Sequence, residues 1–194
     1  MKTEVTVEDI LDAAAYEAVR AEKRTEMIEV KKKRRVSVGP DTTFYFESWD
    51  SMWLQIQERL RAEKGGDQQL IEELAAYNPL VPKGRNLSAT FMIEIADDVR
   101  RDHALSELGN IDRTISLKFG KEIVWATPDG DVERTNEEGR ASSVHFLLFH
   151  FNDQQAMTFS AGDAEVLLCI EHEKYHHMAV LPEAVRRSLA GDFL

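Results

Sequence analysis

The sequence predicts an α+β fold, a mostly antiparallel sheet packed by amino-terminal helices, within a single domain spanning residues 1–194. Apolar residues at helical spacing, interrupted by one hairpin, occupy residues 1–80. Short β-branched and aromatic runs occupy residues 88–194. Because 43% of the 194 residues are hydrophobic and 30% are charged, we expect the chain to bury one core of ordinary size.

The amino-terminal part is predicted to be helical on either side of the hairpin. Thr6 and Asp9 have the spacing of a capping box, which opens the first helix. Residues 35–46 alternate on both sides of a turn at Gly39, which is typical of a β-hairpin. An apolar stripe in residues 49–63 predicts a helix that lies on a core. The first predicted helix includes the apolar residues Ile10, Leu11, Ala14 and Ala15, and further helices cover about residues 17–33, 49–63 and 68–77.

The carboxy-terminal part is predicted to supply most of the sheet. Gly120 lies between two strand-like runs and indicates a hairpin turn. Pro182 suits the first turn of a closing helix. The predicted strands are residues 90–95, 114–119, 122–125, 144–151 and 165–170, and helices are expected at about 97–108, 153–159 and 182–189.

Charge and cysteine content exclude several classes of protein. A formal net charge of −11 repels phosphates, so no nucleic-acid partner is expected. The single cysteine, Cys169, allows neither an internal disulfide nor a cysteine metal cage, which suits a reducing compartment. Neither a signal peptide nor a membrane-spanning apolar run is present, and a cytoplasmic protein without membrane contact is expected. A homodimer is favoured over a monomer because Trp49, Trp53 and Phe44 are expected to crowd one region.

Five consecutive residues, His172-Glu173-Lys174-Tyr175-His176, match the H-E-x-x-H zinc pattern. That pattern requires a helix, whereas a strand-like run precedes these residues, so the match is interpreted as accidental. A looser metal site remains open, in which His172, His177 and His145 converge with a carboxylate such as Glu94. The alternative is that these histidines hydrogen-bond to the backbone or lie half exposed at strand ends.

The only basic cluster, residues 31–35, allows two interpretations. It could hold an anion such as phosphate, with Arg34, Arg35 and Tyr77 in a cleft between helices and sheet. The same cations could simply complement the carboxyl end of a helix.

Several strings, taken in order, resemble one bacterial family, the domain-of-unknown-function 3501 family. They are Lys32-Lys33-Arg34-Arg35-Val36, Gly39-Pro40, Phe46-Glu47, Gln55-Ile56-Gln57-Glu58, Tyr77-Asn78-Pro79-Leu80-Val81-Pro82, the run from Ala89 to Ile95, Val144-His145-Phe146, and His172, Tyr175 and His177 before Leu181-Pro182. The resemblance covers nearly the whole chain. It implies no established activity, and a proline often stands in the family where this chain has Glu173.

The resemblance also implies a set of shared polar positions and a metabolic context. The binding candidates carried over are Arg35, Glu47, Gln55, Glu58, Tyr77, Asn78 and Tyr175, with Glu94, His145 and His172 as shared positions in the metal hypothesis. Genes of the family lie beside those of rubrerythrin-like proteins and iron–sulfur subunits, which implies a role near peroxide or thiol redox metabolism.

Three functions therefore remain open from the sequence. The first is an accessory protein that docks on a rubrerythrin-like or iron–sulfur redox partner. The second is a metal-dependent enzyme that uses His172, His177 and a carboxylate. The third is a small anion-binding protein. The sequence does not decide whether the chain is an enzyme.

Overall fold

One antiparallel sheet organises the fold in the computed structural model, which describes residues 2–130 and 134–194. Eight strands are found in these ranges. They are β1 (Arg35–Ser37), β2 (Thr42–Phe46), β3 (Asn86–Ile93), β4 (Ile115–Phe119), β5 (Glu122–Pro128), β6 (Val144–His150), β7 (Val166–His172) and β8 (Tyr175–Val180). Their order across the sheet is β1-β2-β3-β6-β5-β4-β7-β8.

Six α-helices accompany the sheet in the described ranges. They are α1 (Ala13–Lys32), α2 (Trp49–Glu63), α3 (Gly66–Tyr77), α4 (Asp98–Glu107), α5 (Asp153–Ala161) and α6 (Glu183–Ala190). The α+β class predicted from the sequence is confirmed. None of these helices has the length and apolarity needed to cross a membrane.

The sheet curls until its first and last strands meet. Tyr175, which begins β8, donates a hydrogen bond from its hydroxyl to the Val38 carbonyl at 2.9 Å. The same hydroxyl accepts one from the Asp41 amide at 3.0 Å. This approach is possible because Gly39 has a φ of 72° and no side chain, since a β carbon there would stand 2.5 Å from the Tyr175 Oη atom.

The main core fills the inside of the curled sheet. Phe44, Phe91 and Phe149 come from three neighbouring strands and are fully buried. The helical residues of this core come from α4, α5 and α6, which contribute Leu105, Phe159 and Leu189 respectively. The inside of the sheet is therefore closed by the carboxy-terminal helices.

The amino-terminal helices build a second, smaller core. Tyr16 of α1 packs with Trp53 and Ile56 of α2, and Phe146 of β6 packs against this cluster from the sheet. The sequence predicts that amino-terminal helices pack the sheet, whereas the apolar cluster built by these helices includes only one strand residue of the described ranges, Phe146. Phe44 belongs to the main core and is 0% exposed, so it does not crowd with Trp49 and Trp53 as the homodimer argument requires.

Three local features differ from the sequence prediction. The first two predicted helical stretches are one helix, α1, and the Asp12 side chain caps its start by accepting from the Ala15 amide at 2.8 Å. The Thr6–Asp9 capping box opens only a short 3₁₀ turn. Strand β8 is absent from the prediction because three of its four residues from His176 to Ala179 are exposed, which hides the alternation of a half-buried strand.

Candidate functional site

A cleft of about 350 Å³ opens between the outer face of the sheet and the amino-terminal helices. Its sheet wall is a cross-strand row formed by Tyr45 of β2, Thr90 of β3 and Phe146 of β6. The facing wall includes Gln55 of α2 and Tyr77 of α3. Glu47, Gln55 and Tyr77, all singled out from the sequence, therefore line one cavity.

Glu47 is the buried charge of the cleft, with only 8% of its surface exposed. One carboxylate oxygen accepts a hydrogen bond from the Thr90 hydroxyl at 2.6 Å, and the other accepts one from the Ser51 hydroxyl at 2.6 Å. No cation of the described chain lies within ion-pair distance of it. A carboxylate has about four lone-pair sites, so Glu47 keeps acceptor capacity. A buried charge of this kind favours a ligand that supplies the missing donor.

One cation lines the same cleft, and two more lie over rings that line it. Lys31, at the end of α1, lines the cavity and is exposed. The guanidinium of Arg35 lies 5.5 Å from the ring centre of Tyr45, and that of Arg134 lies 5.0 Å from the ring centre of Phe146. The cleft thus combines a buried negative group with positive groups at its rim.

Glu94, another residue that matches the family strings, is hydrogen-bonded to Tyr45. The Tyr45 hydroxyl donates to the Glu94 carboxylate at 3.1 Å on the exposed side of the sheet. Burial of the ring, together with this hydrogen bond, raises the pKa of Tyr45. Glu94 is therefore placed beside the cleft through Tyr45, and among the described residues it forms no metal-holding group with the histidines that were predicted to join it.

Asn78 and Glu58 hold the amino-terminal layer together. The Asn78 side chain accepts from the Val5 amide at 2.8 Å and donates to the Val5 carbonyl at 2.9 Å, which ties the first residues to the end of α3. The Glu58 carboxylate accepts from the Tyr16 hydroxyl at 2.6 Å and from Arg20 at 2.7 and 2.9 Å. The Arg20 hydrogen bonds lower the pKa of Glu58 to about 2. Both residues position the helices that form the cleft.

Arg34, one of the residues in the anion hypothesis, bonds to other groups of the protein and does not line the cleft. It is 5% exposed and donates to the carbonyls of Phe46 and Glu47 at 3.0 and 2.7 Å. Its guanidinium also forms an ion pair with the buried Asp192 carboxylate. Of the predicted anion ligands, Arg35 and Tyr77 lie at the cleft, whereas Arg34 joins β1 to the carboxyl end of the chain.

The two buried histidines are engaged with the backbone. His145 is 0% exposed, and its Nε2 atom donates to the Ser142 carbonyl at 2.8 Å. His172 Nε2 donates to the Gly109 carbonyl at 3.1 Å, and its Nδ1 accepts from the Lys174 amide at 3.2 Å. In the described ranges His145 Nδ1 has no hydrogen-bond partner, and the Asp112 carboxylate lies 3.8 Å from it.

His177 lies on the exposed part of β8 beside Tyr175, with ring centres 4.5 Å apart. Across residues 2–130 and 134–194, no three His, Cys, Asp or Glu side chains are grouped so that they could hold a metal ion. The H-E-x-x-H string spans the β7–β8 hairpin, where His172 faces Tyr175 across the strands. Its two imidazoles are therefore not one helical turn apart.

Comparison with known proteins places the chain in a family. Residues 4–193 match the family described as Protein of unknown function (DUF3501). The chain belongs to this family. The chain is also similar to the crystal structure of a novel protein of unknown function from Burkholderia pseudomallei K96243. The two share 36% identity with a TM-score of 0.90, over 98% of this chain and 99% of the other. No curated protein matches the chain.

The DUF3501 member has functional candidates that sequence reasoning missed. Thr90 and Ser51 are the two hydroxyls that hold Glu47, and neither belongs to a recognisable motif. Ser51 follows Glu47 by four residues at the start of a predicted helix, which is a local signal that was available. Thr90 is separated from Glu47 by 43 residues, so only the β2–β3 pairing brings it near.

Proposed function

We propose that this DUF3501 member binds a small zwitterionic molecule, such as an amino acid, in the cleft between the helices and the sheet. The observation that carries the proposal is Glu47, a buried carboxylate held by two hydroxyls and free of a cationic partner in the described ranges. An ammonium group on the ligand supplies the charge and the donors that Glu47 lacks.

The rim of the cleft supports a second, opposite charge on the ligand. Lys31 lines the mouth, and Arg35 and Arg134 lie over two of the lining rings. A ligand carboxylate near these cations, with its ammonium group at Glu47, satisfies both ends of the cleft. The earlier anion hypothesis describes only the rim.

The size and lining of the cleft favour a small molecule. A volume of about 350 Å³ lies at the lower end of the roughly 300–1,000 Å³ typical of ligand sites. Met52, Met92 and Phe146 supply apolar surface between the two charged ends. An amino acid with an apolar side chain therefore matches the cleft better than a bare inorganic anion.

A thermal-shift titration with individual amino acids tests the proposal. Each amino acid is compared with its decarboxylated amine and with its deaminated acid, so that each end of the cleft is tested separately. We expect the zwitterion to raise the melting temperature more than either fragment, since a ligand at about 100 times its dissociation constant adds about 2.7 kcal/mol to stability. Equal shifts of the melting temperature with the deaminated acid and the zwitterion would contradict the proposal and support simple anion binding.

A charge-neutral variant sharpens the test. Glu47→Gln keeps the shape of the side chain, and we expect it to weaken amino-acid binding by about ten- to a hundredfold, the cost of losing a charged hydrogen bond. Glu173→Gln, in an exposed turn of the β7–β8 hairpin, is the matched control. Unchanged binding in Glu47→Gln contradicts the proposal.

A second candidate is the accessory role near redox metabolism, and a different surface favours it. The outer face of the sheet bears four large apolar side chains on its other half. Trp125 is 50% exposed, Ile123 48%, Met178 59% and Val180 50%. Apolar surface of this kind is typical of protein docking sites. The partners that the family resemblance implies are rubrerythrin-like proteins and iron–sulfur subunits.

Pull-down with those purified partners tests the accessory role. We expect retention by the wild-type chain and loss with the double variant Trp125→Ser, Met178→Ser. Met157→Ser, at a 67% exposed position on α5, serves as the control because it removes a comparable apolar group elsewhere. If neither partner class is retained by the wild-type chain, this role is rejected and the cleft proposal is unaffected.

A further inference from the structure

A second cavity, separate from the cleft, lies between the amino-terminal segment and helices α1 and α2. It has a volume of about 480 Å³. Its apolar surface comes from Met27 and Val30 of α1 and from Trp53 and Leu54 of α2. None of these residues lines the cleft that contains Glu47. We call this cavity the amino-terminal pocket.

Two indole rings form one wall of the amino-terminal pocket. Trp49 and Trp53 lie one helical turn apart on α2, with ring centres 6.3 Å apart and planes at 15°. Each indole N–H is held by a backbone carbonyl, that of Glu4 at 2.7 Å for Trp49 and that of Asp9 at 2.9 Å for Trp53. The rings are therefore fixed in place before any ligand arrives.

Carboxylates surround these rings. Glu8 and Asp9 approach from the amino-terminal segment, Glu26 from α1 and Asp50 from α2. Lys23 pairs with Glu26 at 2.8 Å, whereas Glu8 and Asp50 have no ion-pair partner in the described ranges. The pocket thus keeps negative charge that its own lysines do not neutralise.

The chain itself shows which group fits this pocket. The Lys2 ammonium lies 4.6 Å from the ring centre of Trp49 and forms an ion pair with Asp9. An ammonium over an indole face, next to a carboxylate, is a recurrent way to recognise alkylammonium ligands. The Lys2 side chain is 61% exposed, so this internal contact is held weakly and can be displaced.

We propose that the amino-terminal pocket binds linear alkyl diamines, and that Lys2 occupies part of the site when no ligand is bound. One ligand ammonium takes the place of Lys2 between Trp49 and Asp9. The alkyl chain lies along the apolar surface of Trp53 and Leu54. The second ammonium lies near Asp50, which has no partner of its own in the described chain.

Calorimetric titration with 1,5-diaminopentane tests the proposal, because this diamine reproduces the Lys2 stem and adds a second ammonium. Titrations are run at constant ionic strength, with magnesium chloride as a probe of unspecific attraction to an acidic protein. We expect saturable binding of the diamine. Lys2→Ala removes the internal competitor and should tighten binding about two- to tenfold.

Aromatic variants test the recognition mechanism. Trp49→Ala should weaken diamine binding by about two- to thirtyfold, the range expected for loss of a cation–π contact. Trp49→Phe retains an aromatic ring if the alanine variant unfolds, and should bind with intermediate affinity. Trp125→Ala, a half-exposed tryptophan on β5, is the matched control and should bind as the wild type does.

Three results would overturn the proposal. One is the absence of saturable diamine binding to both the wild type and Lys2→Ala. The others are equal affinities of Trp49→Ala and Trp125→Ala, and displacement of the diamine by magnesium at equal ionic strength. Glu47→Gln should leave diamine binding unchanged, so the pocket and the cleft can succeed or fail separately.

Discussion

The two halves of the sheet's outer face differ in what covers them. In the half formed by β2, β3 and β6, the outward residues Thr90, Met92 and Phe146 lie beneath α2 and α3 and line a cleft. In the half formed by β5, β4, β7 and β8, one cross-strand row runs from Trp125 through Cys169 to Met178. Trp125 and Met178, at the ends of this row, are half exposed or more.

This difference shows how one sheet can support two kinds of surface. The covered half contains a buried carboxylate, Glu47, which accepts hydrogen bonds from hydroxyls of two elements, α2 and β3. The other half presents apolar side chains around a Lys118–Glu171 ion pair at 2.8 Å. A small-molecule site therefore suits the first half, and a protein partner suits the second.

The largest loss of stability is expected on breaking the Arg34–Asp192 ion pair, which joins the covered half of the sheet to the carboxyl end of the chain. Arg34→Ala leaves Asp192 buried without its partner and should lower the free energy of unfolding by about 3–5 kcal/mol. Urea denaturation measures this. Arg35→Ala, next in sequence but exposed, should cost about 1 kcal/mol or less. Equal losses of unfolding free energy in the two variants would contradict a stabilising role of the buried ion pair.

The next largest loss of stability is expected at the contact between Gly39 and Tyr175, where the ends of the curled sheet meet. Gly39→Ala forces a left-handed backbone on alanine and places its β carbon against Tyr175, so we expect a loss of about 1–3 kcal/mol. Gly66→Ala has a similar φ of 70° but open space around it, and it isolates the backbone contribution. Thermal unfolding of both variants measures the difference. Equal destabilisation would mean that Tyr175 moves aside freely.

Acid should weaken the helical layer in a defined pH range. Arg20 lowers the pKa of Glu58 from 4.5 to about 2, so the ionised carboxylate stabilises the fold fully above about pH 4.5. That contribution is lost as the pH falls from about 4.5 to about 2. Glu58→Gln should flatten the pH dependence of unfolding in this range, as followed by circular dichroism. An unchanged pH profile would contradict the coupling of Glu58 to α1.

The smallest change in stability is expected for a substitution on the uncovered half of the sheet. Ile123→Thr retains strand propensity at a 48% exposed site and should change stability by about 0.5 kcal/mol or less. Met92→Thr, at a cleft-lining position in the covered half, should cost about 1–2 kcal/mol because it removes partly buried apolar surface. Chemical denaturation of the pair measures the contrast. Similar losses would mean that the two halves are equally packed.

Local signals were sufficient for several elements and for part of the site. The apolar stripe of α2 and the turn at Gly39 are short-range patterns, and both were predicted within a few residues. Glu47, Gln55 and Tyr77 were selected because they match the family strings, and all three line the cleft. Their common location could not be derived from spacing, since Gln55 and Tyr77 lie on different helices.

The sequence by itself determined the α+β class, the hairpin at β1–β2 and the family, because each depends on neighbouring residues or on strings of residues. Only the tertiary structure decided that Thr90 reaches Glu47, that Arg34 pairs with Asp192, and that His145 and His172 bond to the backbone. Arg34 and Asp192 are 158 residues apart, so their contact depends on the complete fold. Burial and strand register are collective properties, and no short stretch of sequence specifies them.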